Sequence, residues 1–164
     1  MMNRIAQFMK VSRTCFEEDW RACFPETPAT WDEISLPARA TAGSAGYDFR
    51  APAGFEIAPG ASLTIPTGVR ARIDEGWVLM IFPRSGLGFK YRLQLNNTVG
   101  VVDSDYFLAE NEGHIFIKLY NGGDRPVSVK AGEAFAQGVF LPFGLTRDDC
   151  ARAVRTGGFG STDG

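Results

Sequence analysis

Phe16, Trp20 and Phe24 recur at helical spacing near the start of the chain, and Pro25 closes that run. Thr14-x-x-Glu17 has the spacing of a capping box, and Glu17, Glu18 and Asp19 crowd the turn where a helix favours negative charge. A helix with one apolar face is therefore predicted, followed by a very short second one at Thr30-x-x-Glu33. From Leu36 the period shortens to two. Phe55 and Ile57 lead into the turn at 58–61; Val69, Ala71 and Ile73 alternate with Arg70 and Arg72 as in a half-buried strand. Trp77–Phe82 is apolar at every position and is predicted to be a central strand. Ile115, Ile117 and Leu119 alternate again, Asn-Gly-Gly-Asp at 121–124 predicts a hairpin turn, and Val127 and Val129 continue beyond it. Short strands punctuated by 19 glycines and nine prolines predict an all-β core, closed or sandwiched.

Composition narrows the classes of function. The chain has 164 residues, enough for one domain with a real core, and a net charge of −2 provides no basic field for a nucleic-acid polymer or an anionic membrane. No apolar run reaches the length of a membrane span, and positions 1–10 lack the apolar core of a secretory signal. Three cysteines, Cys15, Cys23 and Cys150, form an odd set without C-x-x-C spacing, so reduced thiols and a cytoplasmic location are expected. A single histidine, His114, argues against a histidine metal cage or a serine triad.

Five segments hold groups suited to chemistry. Thr41–Ala51 contains Asp48 between large apolar neighbours. Pro83-Arg-Ser-Gly-Leu87 leaves a strand with Arg84, Ser85 and the N–H groups around Gly86, a candidate anion nest. Gly100–Tyr106 leaves another with Asp103, Asp105 and a phenol. Ala136-Gln-Gly138 sets the Gln137 amide among small residues. Arg155–Gly164 combines a guanidinium, hydroxyls, glycines and Phe159, whose flat face suits a base or sugar; with almost nothing apolar to bury, this tail is expected to be mobile alone. Taken singly, each has a bland reading: a turn-capping Asp, a solvated Arg-Ser pair, a Gln satisfying backbone, a loose terminus. Together they supply carboxylates, phosphate-binding cations and an aromatic lid, a combination suited to water attack on a polyphosphate. No G-x-x-x-x-G-K-[ST] loop occurs, which excludes a P-loop enzyme.

In this order the five segments, the fourth taken as Asn121 through Gln137, resemble the five motifs of the trimeric dUTP diphosphatases (dUTPases), over roughly Leu36 to Gly164. The resemblance implies a jelly-roll-like β-barrel over 36–150, preceded by a helical extension over 1–35 and followed by a flexible arm over 151–164. It implies a homotrimer with three shared sites and hydrolysis of dUTP to dUMP and diphosphate by water attack on the α-phosphate. Asp103 would then be the base. Tyr106 would pack on deoxyribose and exclude a 2′-hydroxyl, and the hairpin around Asn97 would read uracil. Arg84, Ser85, Gly86 and Gln137 would hold phosphates. Asp48 would act through water bound to Mg²⁺, a cation that usually binds substrate phosphates and keeps several waters. Phe159 would cover the base while Arg155, Gly160, Ser161 and Thr162 close over the substrate.

The chain departs from the family pattern in places. Phe107–Glu112 reads as an insertion after Tyr106, like that of some bacterial and phage members. Arg155 to Phe159 is one residue shorter than in many members, Asp163 interrupts the usual Ser-Thr-Gly, and Ala134 stands where a basic residue is common. Two other readings compete: dCTP deamination on a related fold, whose Asp/Glu motif is not found here, and a regulatory trimer that binds nucleotide or a protein partner.

Overall fold

A computed structural model describes residues 3–153 together with Arg155 and Gly157. The chain begins with a strand, β1 (Ala6–Lys10), which the sequence pattern did not predict. It pairs antiparallel with β6 (Val69–Ile73), Ala6 opposite Ile73 and Lys10 opposite Val69. Its alternation is weak because it is an edge strand; Phe8 packs against the rings of Tyr47, Phe49 and Phe140, and Lys10 Nζ donates to Trp31 O at 2.9 Å.

Helix α1 (Arg13–Cys23) follows, starting two residues earlier than the capping-box reading placed it. Its N-cap is Ser12, whose Oγ accepts the Cys15 N–H at 3.2 Å; Thr14 lies inside the helix, and the first turn holds no acid. The reciprocal acid of a capping box comes from far away in sequence. The carboxylate of Glu112 accepts the Ser12 N–H at 2.8 Å and the Ser12 hydroxyl at 2.6 Å. Phe16 and Trp20, one turn apart, are buried, and Trp20 stacks on Phe24 at 4.2 Å, so the predicted apolar face is the one that docks. A single 3-10 turn, Trp31–Glu33, stands where the second short helix was expected.

The other strands are β2 (Ala38–Arg39), β3 (Tyr47–Arg50), β4 (Phe55–Ile57), β5 (Ser62–Pro66), β7 (Trp77–Pro83), β8 (Leu93–Leu95), β9 (Gly100–Val102), β10 (Phe116–Asn121), β11 (Val127–Val129) and β12 (Ala134–Pro142). A short helix α2 (Ser85–Tyr91) separates β7 from β8. The largest sheet has the order β2-β3-β12-β7-β9, with three smaller pairings β5-β10-β8, β4-β11 and β1-β6. The β-rich, jelly-roll-like expectation holds, although the ladders stay in separate sheets and do not close into one continuous barrel. Trp77–Pro83 is an interior strand, paired with β12 on one side and β9 on the other. Alternate residues of β10 and β6 point into one core with Phe49, Phe135, Leu79 and Ile81.

Residues 121–124 do not form the predicted hairpin: β10 pairs with β5 and β8, whereas β11 pairs with β4. The cause is the Asn121 side chain. Fully buried, it donates to Ile57 O at 2.9 Å and Arg125 O at 2.8 Å and accepts the Gly123 N–H at 3.0 Å, turning the chain from one sheet to the next.

Candidate active site

The predicted site residues fall into three groups. The first sits where β3, β12 and β7 run side by side, with Asp48 opposite Gln137 and Gln137 opposite Phe82. Arg84 caps α2 one residue beyond β7; its N–H donates to Phe135 O at 3.2 Å, which anchors the strand-to-helix corner. Its guanidinium lies 3.8 Å from the Asp48 carboxylate, and that carboxylate is only 14% exposed. Gln137 Nε2 donates a long bond to Pro83 O at 3.4 Å. Ser85 and Gly86 begin α2, where backbone N–H groups have no partner within the helix.

The second group is at the end of β9. Asp103 caps the 3-10 turn Ser104–Leu108, and its carbonyl accepts the Tyr106 N–H at 3.2 Å. The Asp103 and Asp105 carboxylates converge on one cation: Arg155 donates from Nη2 to Asp103 Oδ2 at 2.7 Å and from Nε to Asp105 Oδ1 at 3.0 Å. The Arg155 guanidinium lies 5.8 Å from the Tyr106 ring centre. Tyr106 itself is 3% exposed. Its hydroxyl donates to His114 O at 2.6 Å and accepts from Asn111 Nδ2 at 2.8 Å, and burial raises its phenol pKa.

The third group is a cavity of about 290 Å³ between the β8–β9 turn and β10, lined by Thr64, Ile81, Leu95, Asn96, Asn97, Gly100, Phe116, Ile117 and Lys118. It is mostly apolar with a few polar groups, the make-up of a small-molecule pocket. The turn is tight: Thr98 takes φ +71°, and its N–H donates to Leu95 O at 3.0 Å. A second cleft, of about 390 Å³, lies beyond α2 among Lys90, Arg92, Arg125 and Asp124 and includes none of the predicted residues.

One chain does not bring the first and second groups together. On β7, Pro83 is opposite Ala136 at one end, and Leu79 is opposite Val102, next to Asp103, toward the other. Arg84 and Asp103 therefore flank the sheet from opposite ends, a separation on the order of 20 Å at about 3.3 Å per strand residue. Phe159, Gly160, Ser161 and Thr162 lie outside the described residues.

Cys15, Asp19 and His114 also converge, with their donor atoms within 4.8 Å of one another. Their hydrogen bonds argue for a structural lock and against a metal site. The Gly68 N–H donates to His114 Nε2 at 2.8 Å, so that nitrogen is bare and the proton sits on Nδ1, which donates to Asp19 Oδ2 at 2.6 Å. A metal on Nδ1 would need an imidazolate, and a thiolate is disfavoured because burial raises the Cys15 pKa to about 12. Burial likewise lowers the His114 pKa and holds the ring neutral, with Asp19 opposing that effect. The strand, the lock and the Glu112 clasp left no mark in the sequence, because their partners stand as far as 100 residues apart.

Comparison with known proteins adds independent findings. The family model described as dUTPase matches residues 32–163. The deoxyuridine 5'-triphosphate nucleotidohydrolase of Lactococcus lactis is 44% identical over 132 residues, covering 79% of this chain and 88% of that protein. Its counterpart from Photorhabdus laumondii is 40% identical over 141 residues, covering 81% and 90%. The crystal structure of dUTPase from Streptococcus mutans superposes with a TM-score of 0.65 at 39% identity, covering 85% of this chain and 97% of that one. A point mutant of the dUTPase from phage phi11 of S. aureus, described as revealing the coordination of a structural Mg(II) ion, is alike in fold (TM-score 0.65, 92% and 98% covered) at 18% identity.

Proposed function

The chain belongs to the dUTPase family, and on that footing we propose that it hydrolyses dUTP to dUMP and diphosphate at sites shared between copies of the chain. The observation that carries this reading is the small, mostly apolar cavity held by the Asn97 turn, which is no hairpin, since β8 pairs with β10 and β9 with β7, and from which β9 leads on to Asp103. A uracil ring has two flat apolar faces and a polar edge, which fits a pocket whose polar groups are few and lie on a tight turn. Asp103 follows as the general base. It leaves the strand at the surface, half exposed, where a water can approach it. In this structure Arg155 neutralises it. A triphosphate offers that guanidinium more negative charge than two carboxylates, so substrate draws Arg155 away and frees the base.

Arg84, Ser85 and Gln137 form the phosphate-holding group. Their distance from Asp103 supports a site completed by a second copy, as a homotrimer supplies, because one chain cannot span it. Tyr106 would wall off the sugar. Asp48 suits Mg²⁺ in its hard oxygen donor and its place beside the phosphate-holding group, where it would act through bound water. When bound, that ion would neutralise phosphate charge; the protein groups orient the chain of phosphates and position the water. Among the described residues no helix is long and apolar enough to cross a membrane.

The test is diphosphate release across dUTP, dCTP and UTP with wild type and Asp103→Asn. Release from dUTP that the substitution removes supports the reading. Equal turnover of dCTP, or none of dUTP, overturns it.

A further inference from the structure

We propose that Asn111, held in place by helix α1, is a positioning residue that sets sugar selectivity through the Tyr106 hydroxyl; this rests on the reading of Tyr106 as the sugar wall. The 107–112 segment that follows Tyr106 is tied down at both ends. Arg70 Nη2 donates to Phe107 O at 2.6 Å, with its guanidinium 3.7 Å over the Phe107 ring. Glu112 clasps the Ser12 N–H and hydroxyl at the start of α1. His114, just past that segment, is locked between Asp19 of α1 and the Gly68 N–H.

Asn111 stands at the centre of this frame. Its Oδ1 accepts the Gly113 N–H at 3.2 Å, which leaves Nδ2 to donate to the Tyr106 hydroxyl at 2.8 Å. That hydroxyl in turn donates to His114 O at 2.6 Å, so both of its directions are engaged and the far end of the ring is held at two points. Gly113 closes the frame: at φ +69° it lies so near that a Cβ would stand 2.6 Å from Tyr106 O. A wall that excludes one hydroxyl by contact works only if it cannot retreat by a fraction of an ångström. The frame supplies that rigidity, and its anchors, Ser12 and Asp19 at α1 and Gly68 and Arg70 at β6, lie outside the segment that carries the base.

The experiment compares kcat/KM for dUTP and UTP. Asn111→Asp is isosteric and keeps the acceptor for Gly113 but cannot donate to the Tyr106 hydroxyl. Asn111→Ser and the surface variant Ser12→Ala serve where it does not fold. Loss of folded enzyme lowers both rates alike and leaves their ratio unmoved, so the ratio reports positioning alone. The dUTP:UTP ratio is expected to fall about five- to tenfold in the Asn111 variants, the equivalent of one lost hydrogen bond, mainly through faster UTP turnover. In a Tyr106→Phe background the Asn111 substitution should add nothing. An unchanged ratio in Asn111→Asp and Asn111→Ser, beside a reduced ratio in Tyr106→Ala, overturns the role of Asn111 alone. An unchanged ratio in Tyr106→Ala overturns the sugar-wall reading, and this proposal with it.

Discussion

His114 makes the folded protein sensitive to mild acid in a pH window that no other shifted group among the described residues occupies. The perturbation is a lowering of pH from about 7.5 to about 5.5, across the ordinary histidine pKa of 6.5. The side chain is fully buried, its Nε2 already takes the Gly68 N–H, and a second proton there would face that donor. Its folded pKa therefore lies below the unfolded value, so between the two the unfolded chain holds the extra proton. Stability then rises with pH in that window and is lost as pH falls below about 6.5. The cost at about pH 5.5 is up to about 1.4 kcal/mol, one proton over one pH unit. Glu112 cannot mimic this. The Ser12 bonds lower its pKa from 4.5, so its contribution is fully present above that value and fades only in stronger acid. The assay is urea unfolding at several pH values for wild type and His114→Gln, with the histidine Cε1 proton followed by NMR. Wild type should lose stability along that slope, and the variant should be flat over the same range. A His114 resonance that titrates near 6.5, or parallel slopes in the two proteins, would refute the reasoning.

Three further outcomes are expected. Asp103→Asn should lower kcat by about 10² to 10⁴ while dUTP still binds, measured by diphosphate release and calorimetry; an inactive Asp105→Asn beside an active Asp103→Asn would move the base to the neighbouring acid. A chain stopped after Val154 should keep its circular dichroism and oligomeric state but lose most activity; near-normal turnover would make the tail a mere terminus. Ser12→Ala should cost about 1 kcal/mol of stability near pH 7 by removing a helix cap and the hydroxyl that Glu112 holds, and less in acid strong enough to protonate Glu112, whose pKa the Ser12 bonds lower; urea unfolding near pH 7 and in acid checks it.

The strands with clean alternation were legible. Val69–Ile73 and the run through Ile117 and Leu119 bury alternate side chains as their pattern requires, and the unbroken apolar run at 77–82 is paired on both sides. What the sequence hid depends on partners distant along the chain. The acid that completes the cap of α1 is Glu112, not Glu17, because the helix starts where Ser12 meets the 107–112 segment. Asn-Gly-Gly-Asp has hairpin chemistry, yet the Asn121 amide is used to hold Ile57 and Arg125 and sends the chain to another sheet. Ala6–Lys10 is a strand only because β6 offers it an edge. The candidate site residues were named from their order along the chain, whereas their division between two ends of one sheet emerged only from the register of β7.

That division makes the most direct test of the account one of complementation. Two variants, Asp103→Asn and the double variant Ser85→Ala with Gln137→Leu, are each expected to be inactive on dUTP. Co-expressed with different tags and purified through both, they should give mixed assemblies; in the proposed trimer one of the three boundaries then joins an intact phosphate-holding group to an intact base. If base and phosphate holders come from different copies around a ring, such trimers should release diphosphate from dUTP at about one third of the wild-type rate. Mixed trimers of intact assembly with no activity above either parent would contradict the shared site.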